Sequence, residues 1–227
     1  MSHRQAVVFD VNETMLDLGA LDPLFEEWFG DSGASRGWFA QTLHLAITLA
    51  AIRTFRNFGE IGVAALAMEA QRRDVALPDD FPARLREAVL RLPAYRDVAS
   101  ALSLLRDAGL TTAALTNNPL PVVQEQLTYA GIAGLFDEIM SVDEAGVLKP
   151  APEVYAFAAE RLDLPPYSVW TVAAHGWDIA GAMRSGLRGA FVARPGQLAD
   201  PFAPPEIVGG NLIEVARAIV AMRAATP

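Results

Sequence analysis

Three glycines recur at the same point of a repeated pattern in the second half of the chain. Gly109, Gly131 and Gly186 each follow a segment with helical spacing and each precede a short apolar run. A glycine that ends a helix just before a strand is typical of βαβ units, in which the strands are parallel. The predicted strands lie near residues 111–116, 138–141, 169–173 and 190–193, and the predicted helices near 120–129, 153–162, 177–184 and 212–222. The pattern predicts a parallel sheet with helices packed on it.

Another apolar run, from Ala6 to Phe9, lies near the amino terminus and is followed by Asp10. An unbroken apolar run is typical of a parallel strand that is buried on both faces, and ligands bind beyond the carboxyl ends of such strands. Asp10 is therefore a candidate nucleophile. The alternative for an aspartate at a strand end is to cap a loop or a helix.

The segment between these two regions has a different pattern. Residues 21–92 keep apolar side chains at helical spacing, interrupted by glycines and prolines, and predict about four helices inserted after the first strand. We therefore divide the chain into a core domain of residues 1–16 and 93–227 and a helical cap domain of residues 17–92. The expected fold class is α/β, with a doubly wound, Rossmann-like parallel sheet and a cap that closes over Asp10. Asp97 is the predicted N-cap of the first helix after the cap.

Charge and composition argue against several kinds of partner and site. A formal net charge of −9 is unsuited to binding nucleic acid or an anionic membrane. The chain has no cysteine, which excludes disulfides, a thiolate nucleophile and cysteine zinc sites. The most apolar stretch, residues 45–52, is shorter than the roughly 20 residues that a membrane span requires. Because residues 1–5 lack the apolar segment of a secretory signal, we expect a soluble cytoplasmic protein.

Four short motifs follow one another along the chain: FDVNET at residues 9–14, LTNN at 115–118, LKP at 148–150 and VAAHGWD at 172–178. In sequence and in order they resemble the motifs of the haloacid dehalogenase superfamily, and within it the L-2-haloacid dehalogenase branch. The resemblance extends over nearly the whole chain. It implies a Rossmann-like core with a cap, hydrolysis through an aspartyl ester, and a possible homodimer.

The resemblance also implies a role for each motif. Asp10 is the expected nucleophile, Lys149 the cation that keeps it charged, and Asp178 the base for the water that hydrolyses the ester. Thr14 is expected to hydrogen-bond the nucleophile, and Thr116 and Asn117 to donate hydrogen bonds at the sheet edge. The predicted substrate contacts are Val11, Asn12, Trp38, Phe39, Phe58, Tyr155, His175 and Trp177.

Structural alternatives remain open for several of these residues. Lys149 has the alternative of an ordinary exposed loop residue. Helix capping is the alternative for Thr116, Asn117 and Asp178. The aromatic residues of the cap, and Tyr155 on its helix, equally fit a buried core.

Two positions separate dehalogenation from phosphate-ester chemistry. In the resembled phosphatases an acid stands two residues after the nucleophile, and an acidic pair in the last motif helps to bind magnesium. This chain has Asn12 and Ala174 there. Asparagine cannot protonate an alkoxide, whereas halide leaves without a proton, and a missing acid removes a hard oxygen ligand from Mg²⁺. We expect a hydrolytic dehalogenase of short 2-haloacids that needs no cofactor. A magnesium-dependent phosphatase of a small phosphate ester and a catalytically idle relative that binds a carboxylate or a protein stay open.

The expected halide site departs from the resembled enzymes. Phe39 stands directly after Trp38, where those enzymes have an arginine. Arg53 or Arg56 could replace that arginine if the cap turned it inward. The alternative for both is a solvated helix face.

The last motif departs as well. Ala173 and His175 stand where serine and asparagine are common. His175 is expected to contact the substrate or the hydrolytic water. Because His3 and His44 have no ligand-like spacing to it, no metal site is predicted.

Overall fold

The computed structural model describes residues 4–225. Six parallel strands form one sheet in the order β3-β2-β1-β4-β5-β6. The strands are β1 (Ala6–Phe9), β2 (Thr111–Thr116), β3 (Glu138–Ser141), β4 (Val169–Ala173), β5 (Arg188–Val192) and β6 (Ile207–Gly209). This order is that of a doubly wound sheet: the strands extend from β1 first towards one edge and then, from β4 onward, towards the other. The predicted fold class is confirmed.

Along the chain, four helices lie between β1 and β2: α1 (Asp22–Phe29), α2 (Ala34–Ala51), α3 (Phe58–Arg73) and α4 (Phe81–Leu90). Gly30 ends α1 with a φ of 63°, which a residue with a side chain adopts only at a cost. Helices α2 and α3 pack against each other, and α4 contacts a helix of the sheet region, α6 (Leu120–Tyr129). The predicted helices are therefore present, and the division into core and cap domains stays a prediction.

The other five helices cover the sheet: α5 (Val98–Asp107), α6 (Leu120–Tyr129), α7 (Pro152–Arg161), α8 (Gly176–Arg184) and α9 (Leu212–Ala225). Asp97 is the N-cap residue of α5, as predicted, but its side chain makes no capping hydrogen bond to that helix. Its carboxylate instead accepts a hydrogen bond from the backbone N–H of Leu212, at the start of α9, with N and Oδ2 2.7 Å apart. Strand β6 was not predicted, because three residues at a sheet edge carry too little pattern.

Strand β1 is enclosed in the middle of the sheet. All four of its side chains are buried, and β2 and β4 pair with it on either side. The backbone N–H of Asp10 continues the pairing by donating to the carbonyl of Val172, with N and O 3.0 Å apart. The strand therefore delivers Asp10 to the carboxyl edge of the sheet at a fixed position. Of the helices within residues 4–225, none is long and apolar enough to cross a membrane.

Candidate active site

Asp10 is surrounded by hydrogen-bond donors. Its Oδ1 accepts from Lys149 Nζ at 3.2 Å, and its Oδ2 accepts from Thr14 Oγ1 at 2.8 Å. His175 Nδ1 lies 3.3 Å from the same Oδ2. Burial alone would raise the pKa of Asp10, but Lys149, His175 and Thr14 together hold that pKa well below its usual range. Asp10 is therefore an ionised carboxylate in a nearly closed site.

Lys149 is the buried cation of the site, not an exposed loop residue. Its Nζ contacts Asp178 Oδ2 at 2.9 Å as well as Asp10. Burial would lower the pKa of Lys149, yet the two carboxylates raise it, so the ammonium group stays charged. The backbone N–H of Lys149 donates to Asn117 Oδ1 at 3.0 Å. Asn117 thus fixes the loop that carries the lysine.

Asp178 is fully buried behind Lys149. Its Oδ2 accepts from Lys149, and its Oδ1 accepts from the Tyr155 hydroxyl at 2.6 Å. The alternative of Asp178 as an N-cap is wrong, because α8 already begins at Gly176. The predicted role as a base for water is at odds with a carboxylate whose two oxygens face Lys149 and Tyr155.

Tyr155, a predicted substrate contact, is also fully buried and turns its hydroxyl to Asp178. A Cβ on Gly181 would lie 2.9 Å from that hydroxyl and 2.7 Å from Pro150 Cβ. Only glycine therefore lets α8 approach this closely. Gly181 was not predicted, since nothing in its local pattern distinguishes it.

His175 bridges Asp10 and Glu13. Its Nε2 lies 2.8 Å from Glu13 Oε2, while Nδ1 faces Asp10. Burial would lower the pKa of His175, but the contacts with the two carboxylates raise it to about 9. The ring stacks on Trp177, with centroids 5.6 Å apart, and lies 6.0 Å from the ring of Phe39. Glu13 belongs to the first motif, and no local pattern indicates its contact with a residue 162 positions away.

A void of about 10 Å³ adjoins Asp10. Among the residues around it are four predicted ones that follow the strands: Thr116, Asn117, His175 and Trp177. The void is about as large as one water molecule requires. The alternative of Thr116 and Asn117 as helix caps is wrong, because neither is the capping residue of α6.

A wider apolar cleft of about 830 Å³ lies next to the void, between α3, α4 and the start of α6. Asn12, Phe39 and Phe58 border both spaces. Trp38 borders only the cleft, and its Nε1 donates to the carbonyl of Gly62 at 2.8 Å. Val11 is fully buried and borders neither space, so its contact with substrate stays a prediction.

The two candidate arginines of the cap do not reach the site. Arg53 and Arg56 are both exposed, and Arg53 forms an ion pair with Glu153. The alternative of a solvated position therefore holds for both, in the loop after α2, and neither replaces the missing arginine. His3 lies outside the described residues.

Arg194, which the sequence analysis did not single out, supports the site from behind. Its Nε donates to the carbonyl of Thr14 at 3.0 Å, and its two terminal nitrogens each lie 3.0 Å from an oxygen of Asp97. A buried arginine with three directed hydrogen bonds fixes the loop that carries Thr14. Its position two residues after the apolar strand β5 was the available signal.

The donor set around Asp10 does not fit a magnesium ion. The Asp10 and Asp178 carboxylates both face the Lys149 ammonium group, which already balances part of their charge. Ala174 provides no ligand side chain, and its backbone N–H donates to Thr14 Oγ1 at 2.9 Å. Mg²⁺ requires a near-octahedral shell of oxygens. Across residues 4–225, no group of three or more His, Asp or Glu side chains could hold a metal ion.

Comparison with known proteins agrees with this geometry. A family model of haloacid dehalogenase-like hydrolases matches residues 5–186. The chain belongs to this family. An (S)-2-haloacid dehalogenase of Xanthobacter autotrophicus is 30% identical over 210 residues, 92% of this chain and 81% of that protein. An (S)-2-haloacid dehalogenase of Pseudomonas fluorescens is 28% identical over 223 residues, 97% of this chain and 98% of that protein.

A solved structure of the same kind matches the fold of this haloacid dehalogenase-like hydrolase. It is the L-2-haloacid dehalogenase from Xanthobacter autotrophicus with chloropropionic acid covalently bound. The TM-score is 0.88 at 26% identity, and the match covers 97% of this chain and 100% of that chain. The resemblance stated from the four motifs is confirmed.

Proposed function

We propose that the protein is a hydrolytic dehalogenase of short 2-haloacids that acts through a covalent ester on Asp10. The observation that carries the proposal is the ionised Asp10 carboxylate at the end of β1, with Lys149 Nζ 3.2 Å away and a void beside it. The named activities of the relatives support it, as does the relative with chloropropionic acid covalently bound.

The reaction proceeds in two displacements. An oxygen of Asp10 attacks the carbon that bears the halogen, and the halide leaves with the bonding electrons. Water then attacks the carbonyl carbon of the ester, which releases a 2-hydroxy acid and restores the carboxylate. Lys149 keeps Asp10 ionised for the first step. Asp178, which accepts a hydrogen bond from Tyr155, holds the ammonium group in place, and no cofactor takes part.

The residues around the void supply the substrate contacts. A haloacid is larger than a space of about 10 Å³, so we infer that Phe39 and Phe58, which border both the void and the cleft, shift to admit it. The Nε1–H of Trp177 is buried and has no hydrogen-bond partner within the described part of the chain. A buried unpaired donor at this position suits the halide or the carboxylate of the substrate.

No observation favours the phosphatase or the idle relative. The cation that faces both carboxylates is Lys149, and Asn12 has no proton to give to an alkoxide. The cytoplasmic location and the homodimer stay predictions. Light scattering of the purified protein measures the oligomeric state.

The first test measures halide released from chloroacetate, fluoroacetate and 2-chloropropanoate, together with phosphate released from an aryl phosphate with and without Mg²⁺. We expect halide release, loss of that release in Asp10→Asn, and no metal-stimulated phosphate release. Phosphate release without halide release contradicts the proposal. A single turnover in heavy-oxygen water should place the label in Asp10, because the ester is hydrolysed at its carbonyl carbon. Label that enters only the product rules out the covalent ester.

A further inference from the structure

Hydrolysis of an ester on Asp10 requires a base next to its carbonyl carbon, and Asp178 does not occupy that place. Asp178 is fully buried, does not border the void beside Asp10, and has both oxygens in contact with Lys149 and Tyr155. Lys149 is held as a cation by two carboxylates and has no free electron pair to accept a proton. The base must come from another side chain.

His175 has the required position. It borders the void together with Asp10, and its Nδ1 lies 3.3 Å from Asp10 Oδ2. Since the void is about the size of one water molecule, a water there lies within reach of both residues. In the region that the structure describes, His175 is the one side chain bordering this void whose nitrogen can accept a proton and give it back.

Glu13 fixes the orientation of the ring. Its Oε2 lies 2.8 Å from His175 Nε2, so Nδ1 is the nitrogen that faces the reaction. The backbone of Glu13 has a φ of 64°, a left-handed conformation that is uncommon for a residue with a side chain. A histidine held by a carboxylate on its far nitrogen is the arrangement in which enzymes orient a general base.

Resting on the function proposed above, we propose that His175, oriented by Glu13, is the general base of ester hydrolysis and the general acid for the departing 2-hydroxy acid. The groups that face the ring are Asp10 and Glu13 from the loop after β1, Phe39 from α2 and Trp177 from α8. Two of them are carboxylates and two are uncharged rings.

The charge of Asp10 controls when the base becomes available. In the free enzyme both carboxylates act on His175, the pKa of the ring is about 9, and the ring is a cation. Formation of the ester removes the charge of Asp10, so the pKa of His175 falls. The ring then loses its proton to solvent as the halide departs. The first step of the reaction thus prepares the base for the second.

The second step, hydrolysis of the ester, conserves atoms and protons. Neutral His175 takes a proton from water while the water oxygen bonds to Asp10 Cγ, and the carbonyl electron pair moves onto its oxygen. The tetrahedral adduct collapses, the bond from Cγ to the substrate oxygen breaks, and His175 returns the proton to that oxygen. Asp10 is left as a carboxylic acid and gives its proton to His175. Haloacid and water have become hydroxy acid, halide and a proton.

The test separates the two steps with His175→Gln, which keeps a polar group near Glu13 but cannot act as a base. With 2-chloropropanoate we expect a burst of halide, followed by turnover slowed by about 10²- to 10⁴-fold. The ester should accumulate and add the mass of the bound acid to the peptide that contains Asp10. Imidazole added to His175→Gly should restore turnover. Glu13→Gln should accumulate the same ester more weakly, since it perturbs only the orientation of the ring.

Asp178→Asn is the matched variant, and comparing the two shows which residue is the base of ester hydrolysis. If Asp178→Asn holds the ester while His175→Gln does not, the base is Asp178 and the proposal is overturned. A His175→Gln variant that turns over at the wild-type rate also overturns it. A His175→Gln variant whose urea unfolding curve shows that it folds, but that gives no halide burst, also overturns the proposal, because His175 then acts in the first step. Wild-type protein that releases no halide from any haloacid overturns the proposed function itself, and this is measured first.

Discussion

The charge on His175 should be visible in the stability of the free protein. Burial lowers the pKa of His175, but Asp10 and Glu13 raise it from an ordinary value of 6.5 to about 9. A group whose pKa rises on folding stabilises the folded state while it is protonated. That stabilisation is complete below pH 6.5 and is lost as the pH rises through about 9. Each unit of pKa difference corresponds to about 1.4 kcal/mol, so the difference from 6.5 to 9 gives about 3 kcal/mol.

Urea unfolding of the wild type and of His175→Gln, at a series of pH values across this range, measures the effect. Other groups titrate in both proteins, so their contributions cancel in the difference between the two free energies of unfolding. We expect the advantage of the wild type over the variant to shrink by about 3 kcal/mol between the two ends of the range. Parallel pH profiles would show that the ring is not held as a cation between the two carboxylates.

Three further predictions concern other parts of the site. Lys149→Met leaves the Asp10 and Asp178 carboxylates buried without their cation, so the free energy of unfolding in urea should fall by about 3–5 kcal/mol. The pH–rate profile should show a higher pKa of Asp10. Unchanged values in both measurements contradict this. Tyr155→Phe removes a hydrogen bond to Asp178, and the free energy of unfolding should fall by about 1.5–3 kcal/mol. In kinetic assays kcat/KM should rise about fourfold for each methylene added to 2-chloropropanoate, because the apolar cleft receives the chain. Ala67→Trp, which narrows the cleft, should abolish that rise and leave the shortest substrate unaffected.

Most of the fold could be predicted from the sequence because the strands of this sheet are buried on both faces. An enclosed strand such as β1 has to be apolar throughout, so it is recognisable without any long-range information. The glycines after the helices marked the following strands for a similar local reason. Strand β6 was not predicted, because a three-residue edge strand with an exposed Val208 has no such pattern.

The candidate site was predictable only in part. Asp10, Lys149 and His175 follow strands or loops at the same sheet edge, so topology alone brings them together. The orientation of each side chain was not predictable. Whether Asp178 faces water or Tyr155 depends on how closely α8 approaches its neighbours, which is a property of packing and not of local sequence.

Arg194 is the clearest case of a contact that only the fold reveals, and it permits a quantitative test. The guanidinium holds Asp97 in two hydrogen bonds, lies 4.0 Å from the ring centroid of Tyr95 and donates to the carbonyl of Thr14. Arg194→Met leaves the Asp97 carboxylate partly buried without its cation, and should lower the free energy of unfolding by about 3–5 kcal/mol. Asp97→Asn alone should cost less, because the Leu212 N–H keeps a hydrogen-bond acceptor.

A double-mutant cycle separates the ion pair from the support of the loop. If the pair acts as a unit, Arg194→Met combined with Asp97→Asn should cost less than the sum of the two single changes, since no unpaired charge remains. The double variant should still have a lower kcat, because the carbonyl of Thr14 has lost its donor and the Thr14 hydroxyl no longer holds Asp10 Oδ2 as firmly. Additive free energies would show that Arg194 and Asp97 stabilise the fold independently. A wild-type kcat in the double variant would show that Arg194 has no part in positioning the nucleophile.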